Sequence, residues 1–351
     1  MQFGLFCTAQ AGTNEHPPES GKGFQDYIDL NVEAEALGFG SSFLVEHHFS
    51  GWNQVSATLT LLTCLAMRTT TLRVGSSVMV LPWHNPVLLA EQAATIDLLS
   101  GGRLDFGIGK GYRHNEFAGF CIPMEEADER FEEGLAVILK AWTSEQRFSH
   151  HGKYWNFENI VVEPPSHQKP HPPIWMGAGS YGSIAKVAER GFKLLLDQYA
   201  PTDTVIERFN FFKSEVEKRG RTFDPNDVAL SRGVYVTKDA AETAKAIETR
   251  VANQQRTAGL AQTPDKSNKA TLLSYDDTAQ ATADAALYGS PDEISRKLER
   301  LRDAGFKQIL ISGPAGSREN LQRFAREVMP AFTGSASDRA PGRAQPALAN
   351  T

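Results

Sequence analysis

The sequence predicts a single (β/α)8 barrel domain over residues 1–333. Short β-rich runs alternate with amphipathic helical periods, and each strand–helix pair takes about 25–40 residues, as in parallel α/β folds. Eight such strands can be counted along the chain. The turn at residues 6–12 lacks the glycine fingerprint that a doubly wound dinucleotide-binding sheet carries after its first strand. A chain of 351 residues also suits a one-domain barrel.

The first half of the chain contains four strand–helix units. Gly38 and Gly101 follow predicted helices as stop signals, and Pro86 stands at the first turn of the third helix. The strands are predicted at residues 2–6, 42–45, 72–81 and 104–109, and the helices at 24–37, 55–67, 86–99 and 130–142.

The regular pattern breaks after the fourth unit. Residues 147–162 predict a hairpin and residues 163–173 are rich in Pro and His, so we expect an excursion from the barrel. The alternation then resumes, with a helix opened by Ser290-Pro291 as cap and first-turn residue. Strands are predicted at 173–176, 193–196, 228–237 and 308–312, and helices at 183–190, 204–219, from 240 onward, 290–304 and 317–332.

Two segments lack periodicity. Residues 255–286 are polar and rich in Ala and Thr, and a long irregular segment inside a compact fold is typically a lid. We therefore expect a mobile lid insertion before the eighth strand, not a second domain. Residues 334–351, rich in Ala, Pro, Ser and Arg, predict a disordered C-terminal tail.

Composition excludes several classes of protein. Apolar residues make up 41% and charged residues 22%, and the net charge of −6 comes without a basic stripe, so we expect no nucleic-acid partner. The sequence shows neither a signal-peptide pattern nor a long apolar run, so we expect no membrane association. The three cysteines are isolated, which argues against a disulfide scaffold or zinc site and favours a reducing cytoplasm.

Barrel enzymes build their active sites at the C-terminal ends of the strands. Glu46, His47 and His48 follow the second predicted strand, and two histidines beside a carboxylate can supply a general base near neutral pH. His47 is the first candidate for that role. His48 is either a second reacting group or a packed histidine, and Glu46 is expected to support the pair. We expect no metal site, because no third ligand with suitable spacing follows.

A glycine-rich loop, residues 177–183, lies between a predicted strand and helix. Its backbone can approach an anion closely, and the N–H groups at the helix start point toward it, although such glycines also serve tight packing. Lys110 and Arg130 are candidates for the positive charge that a phosphate needs. The candidate contacts within the loop are Gly177, Ala178, Gly179, Ser180 and Ser183.

Several motifs resemble the bacterial luciferase-like flavin-dependent monooxygenases, the family of alkanal monooxygenase. They occur in the family's order and at similar spacing from residue 1 to about residue 333. The motifs are FGLF at 3–6, VEHHF at 45–49, VGSSVMVLP at 74–82, SGGRLDFGIGKG at 100–111 and VMPAF at 328–332.

The resemblance implies a flavin site. His47 takes the place of the family's active-site histidine, and Ser77-Val78, next to Ser76, falls where the family has a non-proline cis peptide beneath the flavin ring. Lys110 stands where luciferase has an arginine on the FMN phosphate. Arg130, Ser180 and Ser183 match the other phosphate contacts. Gly109 replaces a cysteine beside the flavin, which implies a reshaped cavity.

The resemblance also implies a reaction. Reduced FMN would come from a separate NAD(P)H-flavin reductase, O2 would add at C4a, and the resulting (hydro)peroxyflavin would oxygenate a small organic substrate. A homodimer is implied as well. Two alternatives stay open at this point: hydride transfer with a deazaflavin on the same fold, and a non-catalytic flavin-binding protein. The candidates for the substrate pocket, all near strand ends, are Trp52, Trp83, His84, Tyr112 and His114.

Overall fold

A computed structural model describes residues 1–312 and 317–334 of the chain. Its strands are β1 (Gln2–Cys7), β2 (Ser41–Leu44), β3 (Arg73–Ser76), β4 (Met79–Val80), β5 (Leu104–Gly109), β6 (Phe148–His151), β7 (Asn156–Ile160), β8 (Ile174–Gly177), β9 (Lys193–Leu196), β10 (Val228–Val236), β11 (Leu287–Gly289) and β12 (Gln308–Ser312). The predicted tail lies outside the described residues, except for Gly334.

Eight parallel strands close into a barrel in the order β1-β2-β3-β5-β8-β9-β10-β12, and β12 pairs back with β1. Gly4 lies opposite Ser41 on one side and Leu310 on the other, which fixes the register at the closure. The predicted (β/α)8 barrel is confirmed. The predicted hairpin is confirmed too, because β6 and β7 pair antiparallel outside the barrel.

The helices surround the barrel and follow the strands in alternation. They are α1 (Lys22–Ala36), α2 (Thr58–Arg68), α3 (Pro86–Leu99), α4 (His114–Gly119), α5 (Ala127–Thr143), α6 (Tyr181–Arg190), α7 (Thr202–Glu217), α8 (Ala240–Ala261), α9 (Ala279–Ala285), α10 (Pro291–Asp303) and α11 (Arg318–Glu327). Within residues 1–312 and 317–334, no helix has both the length and the apolar character needed to cross a bilayer.

Two packed layers hold the site in place. The larger core lies between barrel and helices, where Phe106 and Ile108 on β5 are fully buried. A smaller cluster fills the barrel interior around Phe43 and Trp175, whose rings meet edge to face at 5.6 Å. Val78 packs against this interior cluster. The cluster therefore closes the barrel below the strand ends and leaves the space above them open.

One predicted strand needs correction, and two further elements were missed. The predicted strand at 72–81 is broken, because a cis Ser77–Val78 peptide bond separates β3 from β4 and a 3-10 turn, Leu81–Trp83, follows. Helix α4 and strand β11 were not predicted.

The irregular stretch predicted at 255–286 is shorter than expected, since α8 runs to Ala261 and α9 begins at Ala279. Helix α8 buries a stripe that is mostly polar, including Arg250, Gln254 and Thr257, so hydrophobic periodicity does not reveal it. The irregular segment is therefore 262–278, which contains one 3-10 turn and no α-helix.

Candidate active site

The C-terminal ends of the barrel strands surround one cavity of about 2880 Å³. Drug-sized ligand pockets are commonly about 300–1,000 Å³, so this space can hold two organic molecules together. Residues from the ends of β2, β3, β5, β8 and β9 line it, and the segment 262–278 contributes to its wall.

His47 and Glu116 form a buried pair in the cavity wall. His47 follows β2, Glu116 lies on α4, and His47 Nδ1 is 2.9 Å from Glu116 Oε1. Burial lowers the pKa of His47 and its hydrogen bond to Glu116 only partly opposes this shift, so the ring is neutral at pH 7. Since Nδ1 donates to the carboxylate, Nε2 is the basic nitrogen of the ring. His47 is therefore equipped to accept a proton.

Glu46 serves a different purpose. It is 1% exposed, and its carboxylate accepts hydrogen bonds from the backbone N–H of Val80 at 2.8 Å and from Trp83 Nε1 at 3.1 Å. His84 Nε2 and His48 Nε2 lie 2.7 and 2.9 Å from Glu46 Oε1. Burial alone would raise the pKa of Glu46, but the hydrogen bonds from His48, His84 and Val80 lower it to about 2.

These contacts correct part of the predicted site. His48, Trp83 and His84 do not line the cavity, because their polar atoms are turned toward Glu46. His48 also packs edge to face on Phe120, with ring centroids 4.9 Å apart. These contacts favour the packed alternative for His48. Glu46 connects β4 with the segments after β2 and β4.

Ser77 and Val78 form a stretch of wall, here called the floor, in the same cavity as His47. The Ser77–Val78 peptide bond is cis, as the resemblance implied, and both residues line the cavity. A Cβ on Gly109 would come within 2.6 Å of Val78 Cγ2, so glycine at this position keeps the floor open. Ser76 does not reach the cavity, because its hydroxyl donates to the Gly107 carbonyl at 2.8 Å and accepts from the Gly107 N–H at 2.9 Å.

The glycine-rich loop lies at the end of β8, where α6 begins. Ser180 caps this helix by accepting the Ser183 N–H at 3.2 Å. Gly177, Ala178, Gly179, Ser180 and Ser183 all line the cavity. The N-terminus of α6 therefore faces the cavity with the geometry that suits a phosphate.

The two predicted phosphate cations differ in position. Lys110 lines the cavity, with its Nζ 3.0 Å from both oxygens of the exposed Asp128 carboxylate. Arg130 does not line it: its Nε donates to Glu126 at 2.8 Å and its guanidinium lies 4.3 Å from the Tyr154 ring centroid. The structure thus brings Lys110, but not Arg130, to the predicted phosphate site.

The remaining candidates lie at the rim. Trp52, Tyr112 and His114 line the cavity, as predicted. Arg113 and Glu116 line it too and were missed, because α4 has too few apolar positions to show helical periodicity. Glu116 lies 69 positions from His47, and no sequence signal links the two.

The segment 262–278 connects two sides of the cavity mouth. Asn268 Nδ2 donates to the Tyr112 carbonyl at 2.9 Å, on the side of β5. The Tyr275 hydroxyl donates to Asp197 Oδ2 at 2.6 Å and accepts from Arg208 Nη1 at 2.7 Å, on the side of β9. The predicted insertion before the eighth strand therefore covers part of the mouth.

The donor set fits a flavin mononucleotide. The uncharged Ser77–Val78 floor suits the flavin ring, the α6 N-terminus and Lys110 suit its phosphate, and a neutral histidine lines the same cavity. Comparison with known proteins agrees with this fit. The family model for luciferase-like monooxygenase matches residues 1–308. The chain belongs to the luciferase-like monooxygenase family.

Relatives of this luciferase-like monooxygenase cover nearly its whole length. It is 25% identical to the oxygenase component of the flavin-dependent trigonelline monooxygenase of Acinetobacter baylyi, over 97% of this chain and 98% of that protein. It is 27% identical to the FMNH2-dependent dimethylsulfone monooxygenase of Pseudomonas putida, over 86% of this chain and 87% of that one. The chain is thus an enzyme, a flavin-dependent monooxygenase.

Solved structures show the same barrel. Monooxygenase RslO1 from Streptomyces bottropensis superposes with a TM-score of 0.81 at 25% identity, covering 95% of this chain and 100% of that one. The oxygenating constituent of 3,6-diketocamphane monooxygenase from Pseudomonas putida, in complex with FMN, has a TM-score of 0.76 at 21% identity over 94% and 98% of the two chains. The second likeness concerns the fold alone.

Proposed function

We propose that this luciferase-like monooxygenase takes reduced FMN from a separate NAD(P)H-flavin reductase and uses O2 to oxygenate a small organic substrate. The carrying observation is that one cavity contains a neutral His47, the Ser77–Val78 floor and the glycine-rich loop at 177–183. A relative named FMNH2-dependent supports the cofactor, and one named an oxygenase component supports the separate reductase.

In this proposal the residues that line the cavity have separate tasks. Reduced FMN, when bound, would supply the activation of O2 and the oxygen transfer. Ser77 and Val78 would support its ring, and the α6 N-terminus with Lys110 would bind its phosphate. His47 Nε2 would accept a proton near the reacting centre while Glu116 holds Nδ1 protonated. The segment 262–278 would exclude water.

The proposal includes a homodimer in the cytoplasm. Four large apolar side chains on α2 and α3 are exposed: Met67, Leu88, Leu99 and Leu98 at 61%, 55%, 49% and 41%. Such residues favour an interface on this side of the barrel. The three cysteines are unpaired, which suits a reducing compartment. Sedimentation velocity measures the stoichiometry, and a monomer at micromolar concentration would overturn the dimer.

Titration with FMN tests the cofactor site. Lys110→Ala should weaken binding by about 1–3 kcal/mol, the range for losing a charge-assisted hydrogen bond. Ser180→Ala should cost less, since the hydroxyl also caps α6. Arg130→Ala is the matched control and should bind FMN normally, because Arg130 pairs with Glu126 away from the cavity. Unchanged affinity in Lys110→Ala and Ser180→Ala would overturn the phosphate assignment.

Oxygen consumption tests the reaction. The enzyme should consume O2 with photoreduced FMN and transfer oxygen to a substrate from a panel of aldehydes, ketones and aromatic compounds. Turnover only with a reduced deazaflavin, without O2 uptake, would establish the hydride-transfer alternative. Tight FMN binding with no turnover on any substrate would favour a flavin-binding protein instead.

A further inference from the structure

Arg113 is an unusual member of the cavity wall. It lines the cavity at the start of α4, yet the residue is only 4% exposed. Its Nε and Nη1 atoms are buried and have no hydrogen-bond acceptor among residues 1–312 and 317–334. A buried donor without an acceptor costs about 1–3 kcal/mol. A ligand that supplies the acceptor would remove this cost.

The nearest carboxylate does not satisfy Arg113. Its Nη1 lies 3.8 Å from Glu116 Oε1, too far for a hydrogen bond. The same oxygen is already 2.9 Å from His47 Nδ1 and accepts the His48 backbone N–H at 3.0 Å. Glu116 thus balances the charge of Arg113 but leaves its donors unused. The shared oxygen also places the guanidinium next to His47.

Aromatic rings and a second cation surround this position. Arg113 Cζ lies 6.0 Å from the Trp52 ring centroid and 5.9 Å from that of Tyr112. Arg256, from α8, stacks on Trp52 with its Cζ 4.0 Å from the ring centroid. All four side chains line the cavity. This wall therefore offers flat apolar surface together with positive charge, which suits a planar organic anion.

We propose that Arg113 binds the carboxylate of a small aromatic carboxylate substrate, whose ring lies between Trp52 and Tyr112 beside His47. The planar guanidinium presents its N–H groups as a fork that matches the two oxygens of a carboxylate. The carboxylate holds the substrate in one orientation, so that one edge of the ring faces the floor at Ser77–Val78. The inference names the substrate class of the monooxygenase proposed above and rests on that function.

Calorimetric titration of the FMN-loaded enzyme tests the inference. The probes are benzoate, 4-hydroxybenzoate and phenylacetate, each paired with its neutral amide. The wild-type enzyme should bind at least one acid at least tenfold more tightly than its amide. Arg113→Gln should weaken binding of that acid by about 10–100-fold, because a charge-assisted pair is lost. Arg113→Lys should lose less, since the charge remains without the fork.

Three further variants separate the possible failures. Lys110→Ala should lose FMN affinity but still bind the acid, whereas Arg113→Gln should keep FMN affinity. If Arg113→Gln fails to fold, the double variant Arg113→Gln/Glu116→Gln removes both buried charges, and Glu116→Gln alone, which keeps Arg113, should still bind the acid.

Three results would overturn the carboxylate site: equal losses for acid and amide in Arg113→Gln, no binding of any acid by the wild type, or a matching loss of FMN. The last result would assign Arg113 to the phosphate. Oxygen transfer by the wild type from O2 to an uncharged substrate, with reduced FMN, would leave the proposed function intact in each case.

Discussion

Two glutamates, Glu46 and Glu116, lie on either side of the His47-His48 pair, and both are 1% exposed. Glu46 lies within hydrogen-bonding distance of four donors from the segments after β2 and β4, and its pKa falls to about 2. Glu116 contacts His47 and the His48 backbone, while Nε and Nη1 of Arg113 have no acceptor in the part of the chain that the structure describes. The two glutamates are equally buried, but the donors around Glu46 are hydrogen-bonded to it, whereas these two Arg113 donors near Glu116 are not hydrogen-bonded to any described residue.

This difference indicates that Glu46 stabilises the fold and that Glu116 prepares groups for a ligand. A buried carboxylate with all its hydrogen bonds made fixes the backbone around it, and replacing it leaves several donors unpaired. A buried carboxylate that holds a histidine on one side and an unsatisfied arginine on the other prepares groups for a ligand. We therefore expect changes at Glu46 to lower stability and changes around Glu116 to alter function.

Glu46→Gln should have the largest effect on folding. The pKa of Glu46 is about 2 against a usual 4.5, so its ionisation stabilises the fold above pH 4.5, and this stabilisation is lost as the pH falls from 4.5 to 2. The variant should lose about 3 kcal/mol of the free energy of unfolding at pH 7. Urea unfolding at pH 7, 4 and 3 measures this.

The same titration provides its own control. The variant should show a smaller loss of stability between pH 4.5 and 3 than the wild type does. Glu19→Gln, which changes an exposed carboxylate, should behave as the wild type. Parallel pH profiles for the wild type and Glu46→Gln would show that Glu46 is not the buried anion that these contacts imply.

His47→Ala should affect turnover instead. Losing a general base lowers the rate by about 10²-fold or more, while the free energy of unfolding and the FMN affinity should change little. Single-turnover kinetics with photoreduced FMN measures the rate. His48→Gln is the matched change: it removes a contact to Glu46 and should lower stability while retaining most of the rate. A loss of rate in His48→Gln equal to that in His47→Ala would mean that the two histidines share the chemistry.

Trp83→Phe should have the smallest effect of the three. It removes one donor of Glu46, a hydrogen bond of 3.1 Å, and keeps most of the ring packing on Phe117 and Phe120. We expect a loss of about 1 kcal/mol in the free energy of unfolding. Ligand affinity should stay at the wild-type value. A changed substrate affinity with unchanged stability would place Trp83 in the pocket after all.

The sequence predicts the barrel well because its strands and helices have regular hydrophobic periods and marked ends. It predicts the cavity residues less well, because a strand end does not say which way each side chain turns. The 3-10 turn Leu81–Trp83 directs Trp83 and His84 toward Glu46, and no local pattern shows this. Arg113 is the N-cap of the short helix α4 and Glu116 lies within it. Their roles depend on the contact of Glu116 with His47, a residue after β2 that is distant in sequence, and on the contact of Arg113 with Glu116.

The segment 262–278 has a consequence for how this enzyme can change its substrate. It contributes cavity wall but no barrel strand, and Asn268 and Tyr275 attach it through side-chain hydrogen bonds. Because the barrel closes without it, insertions and exchanges in this segment leave the fold in place. We therefore expect variation and recombination in this segment to reshape the cavity while His47 and the Ser77–Val78 floor stay unchanged.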